Sequence, residues 1–130
     1  MSMLSVSHLN AFYGSSHVLQ GVSLRVNSGE IVAILGRNGV GKTTTLKAIM
    51  GLIKHKHGSI IFNQKNISVF PCYKVARSGI GYVPEDRRIF PNISVLDNLK
   101  LAHKVLDPER RDQWTVERVF QHFPSLKKRK

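Results

Sequence analysis

The sequence predicts an α/β fold, in which an antiparallel β layer from residues 3–26 lies beside a core of parallel strands and helices. Apolar and polar residues alternate over 4–7 and 22–27, which is typical of strands with one buried face. The apolar run Ile31–Leu35 does not alternate and is rich in β-branched residues, which indicates a strand buried on both faces. A glycine-rich loop, Gly36–Gly41, follows that run and leads into a helical pattern, as in sheets covered by helices.

The elements after the loop are shorter. Lys42–Gly51 has apolar residues at helical spacing and ends on a glycine, so it is predicted to be a helix. Two further strands are predicted over Ser59–Phe62 and Ile80–Val83, with a turn at 63–66 after the first.

Two helices are predicted near the end of the chain. Ser94 is predicted to cap a helix that runs to Leu101. A last helix is predicted to open at 107–109, where a proline and two acids suit a helix N-terminus. Its apolar stripe, expected to pack in a core, consists of Val116, Val119, Phe120 and Phe123.

Length and composition narrow the class of protein. A chain of 130 residues forms one domain or part of a larger one, and no apolar run approaches the roughly 20 residues that span a bilayer. No secretory leader is visible, so we expect a cytoplasmic protein. The single cysteine, Cys72, excludes an internal disulfide framework and is expected to be buried or inert.

The net charge of +12 raises nucleic acid or an anionic surface as partners. However, residues 1–65 and 66–130 share the excess equally, so no single basic face is indicated. The dense basic run 127–130 is expected to be a solvated tail. Nucleic acid is therefore not an expected partner.

The strongest motif is Gly36-Arg37-Asn38-Gly39-Val40-Gly41-Lys42-Thr43, which matches G-x-x-x-x-G-K-[ST] at every fixed position. Its glycines let the backbone turn tightly, so that N–H groups point at phosphate oxygens. The helix that follows adds its positive end, and Lys42 adds a charge for the β- and γ-phosphates. The Thr43 hydroxyl is a hard oxygen ligand of the kind that Mg²⁺ prefers. The motif is therefore predicted to be a phosphate-binding loop, or P-loop (Walker A).

The P-loop alone does not define the reaction. The D-x-x-G and N-K-x-D motifs of GTPases are absent, and hydrolysis generally needs an acid at the end of a second buried strand. None of the eight acids stands after a run of four apolar residues. The residues thus predict nucleotide binding without a hydrolytic carboxylate.

The residues around the P-loop resemble the ATP-binding subunits of ABC transporters. Residues 19–32 look like that family's approach to its P-loop, and Tyr13 stands where the family has an aromatic that stacks on adenine. Residues 81–85, GYVPE, stand where its Q-loop begins. The resemblance covers the whole chain and implies a P-loop NTPase core with a mixed sheet and an N-terminal antiparallel β layer.

Within this family, three segments are most similar to subunits that serve branched-chain amino acid importers. They are YVPE at 82–85, RRIFP at 87–91 and SVLDNL at 94–99. Subunits of urea and amide importers look alike in these segments, so the transported solute stays open between these classes.

The chain departs from the family pattern at two places. Glu85 stands where the Q-loop usually has Gln, which places a charge where the family has a neutral carbonyl. The signature loop L-S-G-G-Q, the catalytic acid pair and the switch histidine are absent and would follow Lys130. Residues 1–130 are therefore expected to be the N-terminal part of a single nucleotide-binding domain, with no catalytic residue and no turnover by itself.

The resemblance implies ATP and Mg²⁺ as cofactors and gives each site residue a role. The P-loop residues and Thr44 hold phosphate, Lys42 neutralises its charge, and Thr43 ligates Mg²⁺. Tyr13 stacks on adenine, and Glu85 senses Mg²⁺ and the membrane partner. The full set is Tyr13, Gly36, Arg37, Asn38, Gly39, Val40, Gly41, Lys42, Thr43, Thr44 and Glu85.

The resemblance also implies partners and a location. These are transmembrane permease subunits, a second ATP-binding subunit in a homo- or heterodimer, and indirectly a periplasmic or extracellular solute-binding protein. The location is the cytoplasmic face of the plasma membrane. Two alternatives remain: a truncated, non-hydrolysing regulatory ATP binder, and a basic protein that binds nucleic acid or an anionic surface.

Overall fold

The computed structural model describes residues 2–86, 88–102 and 114–129. These residues fall into two compact units, Met1–Tyr82 and Val83–Lys130.

The first unit contains a four-stranded antiparallel sheet. Its strands are β1 (Ser2–Tyr13), β2 (Ser16–Asn27), β3 (His55–Phe62) and β4 (Lys65–Asn66), in the order β2-β1-β3-β4. The predicted antiparallel layer is therefore confirmed, and its first two strands are longer than their alternation indicated. The predicted strand Ser59–Phe62 is also confirmed, but it begins four residues earlier, at His55.

Short turns set the register of the sheet. Asn63 and Gln64 both have positive φ, 45° and 65°, as the two central residues of a type I′ hairpin turn require. Residues 65 and 66, which the sequence placed in a turn, form β4. In β1, His8 has φ 49° and the register shifts between Val6 and Leu9, so the strand contains a β-bulge there.

Two helices belong to this unit. The predicted helix after the glycine loop is confirmed as α1 (Lys42–Ile49), and it is followed by Gly51 with φ 69°. A second helix, α2 (Cys72–Arg77), begins after Pro71 and buries Val75. It was not predicted, because six residues are too few to show a helical period. Cys72 begins this helix and is exposed, so burial of its thiol was predicted wrongly, while an inert thiol stays a prediction.

The core of the unit lies on one face of the sheet, where residues of β1, β2 and β3 meet those of α1 and α2. Leu9 and Leu19 are among its largest fully buried side chains. The buried apolar residues are Val6, Leu9, Ala11, Leu19, Ala48, Ile49, Met50, Ile60, Ile67 and Val75.

Two predicted strands are not strands in the structure. Ile31–Leu35 and Ile80–Val83 have no regular secondary structure. Ile31 is 98% exposed and Leu35 is 90% exposed, so the expectation of a strand buried on both faces was wrong for the described residues. A strand forms by hydrogen bonding to at least one neighbouring strand, and the described residues pair only the four strands above.

The second unit contains α3 (Val95–Ala102), α4 (Val116–His122) and α5 (Pro124–Lys127). Ser94 caps α3 as predicted, since its Oγ accepts a hydrogen bond of 3.1 Å from the Asp97 N–H. The predicted opening of the last helix at 107–109 lies outside the described residues. α4 instead has Thr115 as its N-cap, and its side chain accepts from Arg118 N. The predicted stripe of α4 is half-buried, apart from Phe123, which is exposed.

Among the described residues, no helix is both long and apolar enough to cross a membrane.

Candidate phosphate-binding site

The loop between residues 36 and 41 depends on glycine for its shape. Gly39 and Gly41 have φ of 87° and 99°, a region that side-chain-bearing residues rarely adopt. A Cβ on Gly36 would lie 2.8 Å from Cγ2 of Val40, inside van der Waals contact. The loop therefore folds back on itself closely enough that a side chain at position 36 would displace that of Val40.

Gly41 joins the loop to the sheet. It is the N-cap of α1, and a Cβ on it would lie 2.8 Å from Cδ2 of Leu19. Leu19 is buried in β2, where it pairs with Ala11 of β1. The β layer thus packs closely against the point where the loop becomes a helix. Sequence reasoning did not identify Leu19 as part of the site, because a buried leucine in a strand gives no functional signal.

The first turn of α1 is anchored by a residue that the motif does not include. Thr45 donates from both its backbone N–H, at 2.8 Å, and its Oγ1, at 2.9 Å, to the Gly41 carbonyl oxygen, and its side chain is buried. No acidic residue lies in this turn. The positive end of the helix dipole is therefore not offset by a side chain of α1 and favours an anion.

Lys42 lies across the loop. Its Nζ donates to the carbonyl oxygens of Gly36, at 2.7 Å, and Arg37, at 2.8 Å. The ammonium group is thereby held beside the backbone that precedes the helix. Arg37, Asn38, Gly39 and Val40 are exposed, while Thr43 and Thr44 are half-buried in the first turn. Thr43 already has a partner within the chain.

Tyr13 stands at the end of β1, where it pairs with Ser16 across the hairpin. Its ring is 49% exposed. Ser16 lies three residues before Leu19, which is roughly 10 Å along an extended strand. Because Leu19 contacts Gly41, the hairpin end that bears Tyr13 and the P-loop belong to the same part of the first unit.

A stacked ring pair stiffens this hairpin. The His17 and Phe12 rings are 4.2 Å apart and nearly parallel, at 4°. His17 Nε2 and Asn10 Oδ1 share a hydrogen bond of 2.8 Å, and the Gly21 N–H donates to the same oxygen at 3.2 Å. These contacts hold the strand end in place while leaving the Tyr13 ring open to solvent.

Glu85 lies in the second unit, in an exposed turn, and it already has an interaction within the chain. Two residues of the same segment, Asp86 and Arg88, form an exposed ion pair of 2.6 Å, of the kind that contributes little to stability. The P-loop and Tyr13 belong to the first unit, so the predicted site residues are divided between the two units.

The arrangement around the P-loop suits a phosphate chain. It combines an ammonium group, a loop whose glycines allow close approach of a ligand to the backbone, and a helix N-terminus without an acid. The hydroxyls of Thr43 and Thr44 add hard oxygen atoms that suit Mg²⁺ rather than a softer metal. Among the described residues, no group of three His, Cys, Asp or Glu side chains could hold a metal by itself.

Known proteins are similar to this chain in sequence and in fold. The ABC transporter family matches residues 19–130. The lipopolysaccharide export system ATP-binding protein LptB of Escherichia coli K12 is 42% identical over 113 residues, which are 87% of this chain and 47% of LptB. The high-affinity branched-chain amino acid transport ATP-binding protein BraG of Pseudomonas aeruginosa is 35% identical over 127 residues, or 98% of this chain and 54% of BraG. The chain thus spans about half the length of these relatives.

Solved structures give the same result. The structure of an ATP-binding subunit of an ABC transporter superposes with a TM-score of 0.68 and 33% identity, over 77% of this chain and 41% of that one. A nucleotide-free ATP-binding cassette from an ABC transporter gives a TM-score of 0.67 and 25% identity, over 97% of this chain and 47% of that one. The expected fold class, a P-loop NTPase core with an N-terminal antiparallel β layer, is confirmed. Together, the matched family, the relatives and the geometry of the P-loop lead to one conclusion: the chain belongs to the ABC transporter family and matches its ATP-binding domain.

Proposed function

We propose that the chain binds ATP with Mg²⁺ at residues 36–44, as part of the ATP-binding subunit of an ABC transporter. The observation that carries this proposal is the position of Lys42, whose ammonium group is held beside the loop at the acid-free N-terminus of α1. Both units, residues 1–130, are proposed to belong to a single nucleotide-binding domain.

Lys42 is proposed to exchange partners when nucleotide binds. Its Nζ now donates to two backbone carbonyls, and the β- and γ-phosphate oxygens are stronger acceptors because they are charged. The backbone of Gly36, Arg37, Asn38, Gly39, Val40 and Gly41 wraps the phosphates, and Thr44 adds a contact from the first turn. The Thr43 hydroxyl would hold Mg²⁺, which would offset phosphate charge.

Tyr13 is proposed to stack on the adenine ring. Its ring is accessible, and the strand end that bears it lies near the P-loop through Leu19 and Gly41. Aromatic faces bind purines well, since both surfaces are flat and polarisable. Glu85 is proposed as a second Mg²⁺-sensing group, which also responds to the membrane partner.

This chain is proposed to bind nucleotide without turning it over. Residues 31–84 contain no Asp or Glu, so no acid of that segment can hold Mg²⁺ or polarise water beside the P-loop. In the whole protein, we propose that a second ATP-binding subunit completes the site and that permease subunits convert its closure into transport. The chain would then act at the cytoplasmic face of the plasma membrane, with a solute-binding protein as an indirect partner if the system is an importer.

Two candidate transport functions differ in the solute that is moved. Segments 82–85, 87–91 and 94–99 support import of branched-chain amino acids, with urea and amide importers alike in these segments, and BraG matches nearly the whole chain. LptB supports lipopolysaccharide export, because its sequence identity with this chain is higher than that of BraG, although the matched stretch is shorter. Deleting the coding gene separates them: lost leucine uptake supports import, whereas a defective outer membrane with normal uptake supports export.

Equilibrium binding of radiolabelled ATP tests the nucleotide site. We expect saturable binding that weakens when EDTA removes Mg²⁺, with no release of inorganic phosphate. Absence of saturable binding would refute the nucleotide site. Phosphate release that Lys42→Ala abolishes would refute the proposal that the chain lacks turnover.

A further inference from the structure

A cavity of about 340 Å³, which shares no lining residue with the P-loop, lies between the β3–β4 hairpin and α2. Its lining residues are Lys65, Phe70, Lys74, Arg77 and Ser78. Three of these five carry a positive charge. The nucleotide site uses none of them, so the cavity needs a separate explanation.

The three cations come from different elements. Lys65 begins β4, whereas Lys74 and Arg77 lie in the last turn of α2. Bases at a helix C-terminus stabilise that helix, which accounts for the two on α2. It does not account for Lys65, which comes from the hairpin. The Lys65 ammonium and the Arg77 guanidinium lie 5.3 Å and 5.7 Å from the ring centroids of Phe70 and Tyr73, and these neutral rings supply no counter-charge. The fold therefore gathers like charges from two directions at one cavity.

No acid within the unit balances them. The first unit contains nine Lys and Arg residues and one acid, Glu30. The Glu30 carboxylate accepts a hydrogen bond of 2.7 Å from the Asn27 N–H of β2, which is the opposite edge strand of the sheet from β4. Like charges that converge without a counter-charge repel each other, and a bound anion relieves that repulsion.

We propose that this cavity binds a phosphate monoester group. One carboxylate offsets a single charge, whereas a phosphate monoester carries nearly two charges and offers three acceptor oxygens. The Arg77 guanidinium suits such a group because its N–H donors match two phosphate oxygens at once. The Ser78 hydroxyl donates to the Val75 carbonyl oxygen at 2.6 Å, so the cations supply the binding.

The phosphate has two possible sources, a lipid headgroup and a free phosphate. Vesicle sedimentation tests the lipid source, with phosphatidylcholine vesicles that contain about 20% phosphatidic acid. Oleate replaces the phosphatidic acid in a second set at equal surface charge. We expect Lys74→Gln/Arg77→Gln to weaken binding to the phosphatidic acid vesicles about tenfold, since each Lys or Arg near an anionic membrane surface strengthens the binding.

The matched control is Arg25→Gln/Lys54→Gln, which removes the same charge from exposed residues of the same unit outside this cavity. It is expected to retain binding to within about threefold, because screening shortens the reach of distant charges. Lys65→Gln serves as a second variant, because it leaves α2 intact if the double change disturbs that helix.

The free-phosphate source is tested in solution. Inorganic phosphate is added while the amide resonances of Lys65, Lys74 and Arg77 are followed by NMR. Vesicle binding that depends on these residues supports the lipid headgroup as the source. Saturable amide shifts in the absence of vesicle binding support a free phosphate.

Three results would overturn the inference. Equal losses in the cavity variant and the control would show that total charge alone drives binding. Equal binding to oleate vesicles would show a preference for negative charge rather than for phosphate. Absence of both vesicle binding and amide shifts would exclude the site.

Discussion

The Nζ of Lys42 donates a hydrogen bond of 2.7 Å to the carbonyl oxygen of Gly36, six residues earlier, so the P-loop is closed by its own lysine. The second bond, to Arg37, places the ammonium group beside two carbonyl dipoles. A phosphate chain would replace these dipoles with charged oxygens, which are stronger acceptors.

Lys42→Ala is expected to weaken Mg-ATP binding by about 10- to 100-fold, because it removes a charged hydrogen-bond donor from the phosphates. Equilibrium dialysis with radiolabelled ATP measures the effect. Lys47→Ala, which removes the same charge from the last turn of α1, is the control and is expected to change the Kd by less than about threefold. Equal losses in the two variants would contradict a specific role for Lys42.

Gly41→Ala is expected to destabilise the first unit by about 2–4 kcal/mol, because it combines positive-φ strain with overpacking against Leu19. Gly29→Ala separates these two causes. Gly29 also has a positive φ, 75°, but a Cβ there would meet nothing within 4 Å. The loss of unfolding free energy in Gly29→Ala is therefore expected to come from strain alone and to be about 1 kcal/mol. Urea unfolding measures both variants, and equal losses would show that the contact with Leu19 is unimportant.

Local features of the chain were predicted well from the sequence. The glycine spacing, the following helix and the cap at Ser94 each depend on residues close in sequence, and the structure confirms those elements. Leu19 and Thr45 were not predicted to support the loop. Their roles come from contacts that their residue types do not signal.

The errors concern elements that depend on distant partners. Ile31–Leu35 has the composition of a central strand, but strand hydrogen bonds need neighbours that the described residues do not supply. Ile80–Val83 was mispredicted for the same reason. Composition indicates that a segment is suited to burial, whereas burial itself depends on what packs against it.

Tyr13→Leu is expected to weaken ATP binding about tenfold, because it removes an aromatic face from the base. Binding of inorganic triphosphate, which lacks a base, is expected to stay unchanged, and this separates stacking from any effect on the P-loop. Tyr73→Leu is the control, since Tyr73 is similarly exposed but lies on α2. If Tyr13→Leu weakens the binding of ATP and of inorganic triphosphate equally, the Tyr13 side chain supports the fold and does not stack on the base.

Asn98→Ala is expected to loosen the segment 88–94 of the second unit. The Asn98 side chain accepts from Phe90 N–H at 2.9 Å and donates to Phe90 O at 3.0 Å, so it holds that residue by both backbone groups. Amide hydrogen exchange at Phe90 is expected to rise by about tenfold or more, as expected when a hydrogen bond is lost. Asn92→Ala is the control. An unchanged exchange rate at Phe90 in Asn98→Ala would refute the proposed role of the Asn98 side chain in holding Phe90.

Ile31→Thr/Leu35→Thr is expected to reduce self-association of the isolated chain. Both side chains are almost fully exposed in a segment with strand-like composition, which is a template for pairing with another chain. Because neither side chain is buried, the midpoint of urea unfolding is expected to shift little, and sedimentation velocity is expected to show more monomer at equal concentration. Val69→Thr, at an 89% exposed site elsewhere in the unit, is the control. A parent chain that is monomeric at all concentrations would contradict the prediction, because the exposed segment would then not pair.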